Sequence, residues 1–171
     1  MCTIVDWLDR YDPRRAAEAL APHVGEPRRQ RIENILENRI SGVTVVLENL
    51  HDPHNGAAVV RSLEAFGVAR LHVVEGRERF RFASAVTQGC EKWIDLHRYA
   101  DFPTCEKSLR AAGFALYAAL PRENATPLHQ LDLHRDTALV FGNEHDGVTE
   151  QTVARCDGVF SIPMFGFTQS F

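Results

Sequence analysis

The sequence predicts an α/β domain, a mostly parallel sheet flanked by helices, and three observations carry that prediction. Short β-branched or apolar runs recur from Val43 onward, each about the length of a buried strand. Stretches of helical period lie between them, so strands alternate with crossover helices, the pattern of a parallel sheet. Three of the apolar runs end in turns crowded with polar residues, glycine and proline.

The elements follow in chain order. "PRRAAEALAPHVGEP" offers a helix of about two turns, broken at Pro22 and Gly25. "EPRRQRIENILENRI" is a second helix, with Ile32, Ile35, Leu36 and Ile40 on one face and Arg28, Arg29, Arg31 and Arg39 on the others. "VTVVL", bounded by Gly42, is the first strand, and "GAAVVRSLEAFG" a helix with a glycine stop. Then come the strand "ARLHVVEG", the helix "CEKSLRAAG", and the strands "FALYAAL" and "TALVFG". A helix "TEQTVARC" opened by Thr149 and a last strand "GVFSIPM" complete the order. Residues 1–26 read as an accessory helical segment and residues 27–171 as the α/β domain.

Composition narrows the class. The chain has 171 residues, 44% hydrophobic and 25% charged, enough for one globular domain with its own core. No apolar run approaches the ~18 residues of a membrane span. The N-terminus lacks the basic-then-apolar order of a signal peptide. Cys2, Cys90, Cys105 and Cys156 are scattered, which points to reduced thiols in a cytoplasmic protein and away from a zinc site. A net charge of −4 does not mark a nucleic-acid binder, although local patches decide that question. No GxGxxG follows a strand, which argues against a dinucleotide-dependent oxidoreductase.

Ligands of open parallel sheets bind outside the carboxyl ends of the strands. "ENLHDPHNG", "FGNEHDGVTE" and "IPMFGFTQS" all stand at such ends, and their convergence would build one site from three distant segments. In the first, Pro53 presets the turn, Asn55 can cap the helix and Gly56 permits close backbone approach. Arg61, about two turns into the helix, can clamp an anion in a bidentate manner or be a plain surface charge. His51, His54 and His145 match no zinc spacing and read as surface or capping residues. "EGRERFRF" sets Arg77, Arg79 and Arg81 beside Phe80 and Phe82, either a basic patch for a polyanion or, for at least one Phe, part of the core.

In order and spacing, "LENLHDPHNGAAVVRSLEAFGV", "LVFGNEHDGV" and "IPMFGFTQS" resemble the three motifs of the SpoU-type RNA 2′-O-ribose methyltransferases of the knotted SPOUT superfamily. The likeness runs from about residue 28 to the end. "VTVVLENLHDPHN" and "TQGCEKWIDL" most resemble the tRNA (guanosine(18)-2′-O)-methyltransferase branch, which modifies the D-loop; a ribosomal RNA substrate and a catalytically silent RNA-binding relative are the alternatives. The resemblance implies a deep C-terminal trefoil knot, S-adenosylmethionine as methyl donor, structured RNA as substrate and a homodimer that completes the site across its interface. It implies cofactor contacts from Ala118, Ala119 and Leu120, from Gly142, Asn143 and Glu144, and from Ile162, Met164 and Phe171. It implies catalytic roles for Asn55, Arg61, Glu144 and Ser170. RNA contacts are then expected from Arg28, Arg29, Arg31, Arg61, Arg77, Arg79 and Arg81. The family pattern continues past the serine with Leu-Asn and a small apolar helix, whereas this sequence ends at Phe171, so an incomplete knot is expected.

Overall fold

The computed structural model describes residues 12–76, 80–122 and 124–166. The chain divides between Arg39 and Ile40 into two compact units, where the sequence reading ends the accessory segment at residue 26. Both early helices belong to the first unit: α1 (Pro13–Leu20), capped by Asp12 accepting from Arg14 N–H at 2.9 Å, and α2 (Glu26–Glu37). Neither buries a residue. α2 stops three residues short of the expected Ile40, because the Asn38 side chain turns back onto the Asn34 carbonyl (2.7 Å) and ends the repeat.

The second unit is the parallel sheet. Its strands are β1 (Val43–Glu48), β2 (Arg70–Val74), β3 (Asp95–Tyr99), β4 (Ala115–Ala119), β5 (Thr126–Pro127), β6 (Thr137–Phe141) and β7 (Gly158–Ser161). They lie in the order β3-β2-β1-β6-β4-β7-β5, and every pairing is parallel. The long connections carry α3 (Pro53–Ala65), α4 (Ser84–Thr87), α5 (Phe102–Ala111) and α6 (Glu150–Val153). Side chains alternate between the two faces with the strand period of two. Val45, Leu47, Leu71 and Val73 pack with Val60 and Leu63 of α3. Val46, Val74, Leu116 and Val140 pack with Phe102, Cys105 and Leu109 of α5. Among the described residues no helix is long and apolar enough to cross a membrane.

β3 and β5 are absent from the sequence reading. β3 is the polar stretch Asp-Leu-His-Arg-Tyr, which carries no apolar run because it is an edge strand. Its polar residues build a network on the α5 side. His72 of β2 is buried, stacks on His97 (centroids 4.8 Å apart) and lies 3.1 Å from the Tyr99 hydroxyl, which donates to Ser108 of α5 at 3.2 Å. His72 Nε2 is buried without a partner among the described residues, so a doubly protonated ring would leave an N–H unpaired. Burial first, then His97 and Arg70, hold the imidazole down at about 4, with Asp95 opposing. Unfolded, the ring binds its proton near pH 6.5. Between those values the unfolded chain binds more protons, so this group's contribution is complete above about pH 6.5 and is lost as pH falls toward 4. Melting temperatures measured from pH 7 to 4.5 are expected to fall, and the fall is expected to be shallower in His72→Phe.

Candidate active site

The strand order places a switch point at β1 and β6. From β1 the chain lays β2 and β3 on one side, then crosses to build β6, β4 and β7 on the other. Crevices outside the carboxyl ends at such a point are where open α/β sheets take ligands. Two of the three polar turns meet there.

The first turn is organised by Asp52 rather than by Asn55. Asp52 accepts the His54 N–H at 2.8 Å and caps α3, whose first helical residue is Pro53. This corrects the expectation that Asn55 is the cap; proline at the first position is pre-set for a helix start and selects the residue before it as cap. Asn55 is thereby released, and its Nδ2 donates to Glu144 Oε1 at 2.7 Å, across 89 residues of sequence. Glu144 also accepts from the backbone N–H groups of His51 and Asp52. Burial raises its affinity for a proton, but these hydrogen bonds, together with its own N–H, outweigh burial and hold the carboxyl below the ordinary glutamate value.

The second turn is stiff in its own right. Asn143 is buried, and its Oδ1 accepts from the N–H groups of His145 (2.8 Å) and Asp146 (2.6 Å). Gly147 N–H returns to the Asn143 carbonyl at 3.1 Å, with φ at +68°. The two arms pass so closely that a Cβ on Gly142 would lie 1.8 Å from the Gly147 carbonyl carbon. The loop's exit is tied down by a residue that no sequence signal singles out. Glu48, at the end of β1 and only 4% exposed, accepts from Thr149 N–H (2.9 Å), the Thr149 hydroxyl (3.0 Å) and the Thr152 hydroxyl. Glu48 also borders a cleft of about 720 Å³ over the ends of β1, β2 and β3, with Asn49, Gly76, Asp101 and Arg155 among its other walls.

Ala118 and Ala119 end β4 and Leu120 follows it, beside β6, and Ile162 and Met164 follow β7, beside β4. Together with Gly142, Asn143 and Glu144 they occupy the carboxyl ends of three neighbouring strands. Arg61 stands apart from the Asn55–Glu144 pair. It lies on the outer face of α3, about 9 Å along the helix and about 120° around it from Asn55, exposed in a groove of about 480 Å³ with Ala58, Ser62, Phe66, Val86 and Cys90. Arg81 is exposed, whereas Phe80 is buried and edge-on to Phe82 at 4.7 Å. The Phe80 ring occupies the place a Cβ on Gly56 would need (2.2 Å), and the Phe80 carbonyl accepts from Arg98 at 3.0 Å. The segment bearing Arg81 is thus pinned to the first turn of α3. Arg28 and Arg31 are exposed, and Arg29 pairs with Glu26 and, at 3.9 Å, with Glu33. Arg77, Arg79, Ser170 and Phe171 lie outside the described residues, as does the 167–171 segment on which the expected knot rests.

The tRNA (guanosine(18)-2′-O)-methyltransferase of Thermus thermophilus is 38% identical over 145 residues, covering 85% of this chain and 75% of its own length. The solved TrmH/SpoU tRNA modifying enzyme of Aquifex aeolicus superposes with a TM-score of 0.76 at 28% identity, over 85% of this chain and 75% of that one. An AdoMet-bound rRNA methyltransferase from Sinorhizobium meliloti shares the fold, with a TM-score of 0.68 at 23% identity, over 78% of this chain and 52% of that one. The SpoU rRNA methylase family model matches residues 42–171, the whole parallel sheet and its three polar turns, and the chain belongs to that family.

Proposed function

We propose that the protein is an S-adenosylmethionine-dependent tRNA 2′-O-ribose methyltransferase acting on guanosine 18 of the D-loop, in the cytoplasm and as a homodimer. The relatives of that name, 38% identical over most of the chain, support the substrate. The single structural observation that carries the reading is the Asn55–Glu144 bond, which joins the first and second motifs at the switch point.

The residues at the three strand ends fit the methyl donor. Ala119, Leu120 and Gly142 are half-buried at these ends, and Ile162 presents 41% of its surface beside them. No basic side chain stands among them. Such a shelf suits an adenine ring and a sulfonium cation. When bound, S-adenosylmethionine would supply an electrophilic methyl group, which passes to the ribose 2′-oxygen as its bond to sulfur breaks and S-adenosylhomocysteine leaves.

The chain's own residues then divide the work. Glu144, held below the ordinary carboxylate value, is a poor proton acceptor and serves to fix the loop to α3. Asn55 spends its amide on Glu144, so it acts on that loop and does not reach Arg61. Arg61 remains cationic, since a guanidinium is effectively never deprotonated. Its role is a bidentate clamp on the phosphate beside the target ribose, with phosphate or water taking the hydroxyl proton. Fixing the nucleotide in a near-attack geometry removes several kcal/mol of entropic cost. Its position on the outer face of α3, away from the strand ends of its own chain, supports a dimer in which it serves the partner's cofactor shelf. Arg28, Arg29, Arg31, Arg77, Arg79 and Arg81 add affinity for the RNA backbone that weakens with salt, and Ser170 takes the catalytic role of the third motif's serine.

Labelled methyl transfer to unmodified tRNA, followed by mapping of the modified nucleotide, tests the reading. Label is expected on the 2′-oxygen of guanosine 18. Label on ribosomal RNA alone identifies the other substrate class. Cofactor binding with no transfer to either RNA identifies a silent RNA-binding relative.

A further inference from the structure

We infer that Glu48 is a positioning residue for the cofactor loop: its buried carboxylate fixes the exit of the 142–148 loop and so sets the main chain of Gly142, Asn143 and Glu144. This rests on the functional reading above.

The loop is held at three points. At its entry, β6 pairs with β1 through Leu47 and Phe141. At its middle, Glu144 is bound to the first turn of α3. At its exit, Glu48 gathers the N–H and hydroxyl of Thr149 and the hydroxyl of Thr152. Thr149 in turn accepts the Thr152 N–H at 3.3 Å, so the carboxylate organises the whole start of α6. The alternation of β1 aims Glu48 at this face, one register step beyond Val46, and away from Leu47 on the α3 face. Two carboxylates therefore cross the switch point in opposite directions: Glu48 from β1 to the start of α6, and Glu144 from the β6 loop to the start of α3. All three donors converge on a group with almost no access to water, so solvent cannot replace it. An amide of the same shape would turn an NH2 toward a donor and leave part of the set unpaired.

The test compares Glu48→Gln with the native protein in three measurements: S-adenosylmethionine affinity by calorimetry, tRNA affinity without cofactor, and amide exchange at Thr149 and Thr152. E48Q is expected to bind cofactor about tenfold more weakly, the size of one charge-assisted hydrogen bond. Exchange at the two amides is expected to quicken, and tRNA affinity to stay within about twofold. Thr152→Val, which removes one donor and keeps the carboxylate, is expected to show a smaller loss of the same kind, and it takes the place of E48Q if that variant fails to fold. Unchanged cofactor affinity overturns the inference. Equal losses of cofactor and tRNA binding also overturn it, because they mark a general structural role. Native protein that binds no S-adenosylmethionine would overturn the functional reading itself, an outcome told apart by the native control.

Discussion

Arg61→Ala is expected to lower single-turnover methyl transfer to tRNA by about a hundredfold or more, while S-adenosylmethionine affinity stays within about twofold of native. The division follows from geometry. Arg61 sits on the exposed outer face of α3, away from the ends of β4, β6 and β7, and is proposed to hold the RNA phosphate and not the methyl donor. Its proposed work is holding phosphate, and a rigid fork holds phosphate in two places where an ammonium holds it in one. Arg61→Lys is therefore expected to recover little of the lost rate. Near-complete rescue by lysine would contradict the bidentate clamp and leave only a general positive charge.

Gly142→Ala is expected to have the larger effect on the folded protein. The added methyl carbon would lie 1.8 Å from the Gly147 carbonyl carbon and 2.1 Å from the Val148 nitrogen. Both are backbone atoms, in a loop closed by Asn143 and tied at its exit by Glu48. No flexible side chain can swing aside, so the two arms must part. Overpacking of this kind costs about 3 kcal/mol or more. For a chain of this size that is about 6–12 °C of melting temperature. Calorimetric melting checks the stability loss, and titration of S-adenosylmethionine is expected to show strongly weakened binding in the same variant. A normal melting curve would mean that the arms are not held as closely as described.

Much of the sheet is legible in the sequence because its central strands are buried on both faces and read as apolar runs. β1, β2, β4 and β6 are of this kind, and β7 still reads as apolar although only Phe160 in it is buried. β3 is not, since an edge strand with His97 and Tyr99 on one face has no need of an apolar run. β5, two residues long, leaves no pattern to find. The helix start shows a different limit. Asp52 and Asn55 are both good cap residues, and the proline between them decides the matter. Once the helix begins at Pro53, the period of 3.6 separates Asn55 from Arg61 and forbids their acting as a contiguous pair. Glu48 was beyond reach for another reason. An acid at the end of a strand resembles any solvated strand end until the threonines that bind it, about a hundred positions away, are brought beside it.

Three distant turns are proposed to form one methyl-donor site at the carboxyl edge of this sheet. Titration of the isotopically labelled protein with S-adenosylmethionine, read by backbone amide resonances, tests it most directly. Residues 118–120, 142–144, Ile162 and Met164 are expected to shift together and saturate with a single dissociation constant. Shifts confined to the cleft beside Asn49 and Asp101, or no saturable shift at all, would contradict it.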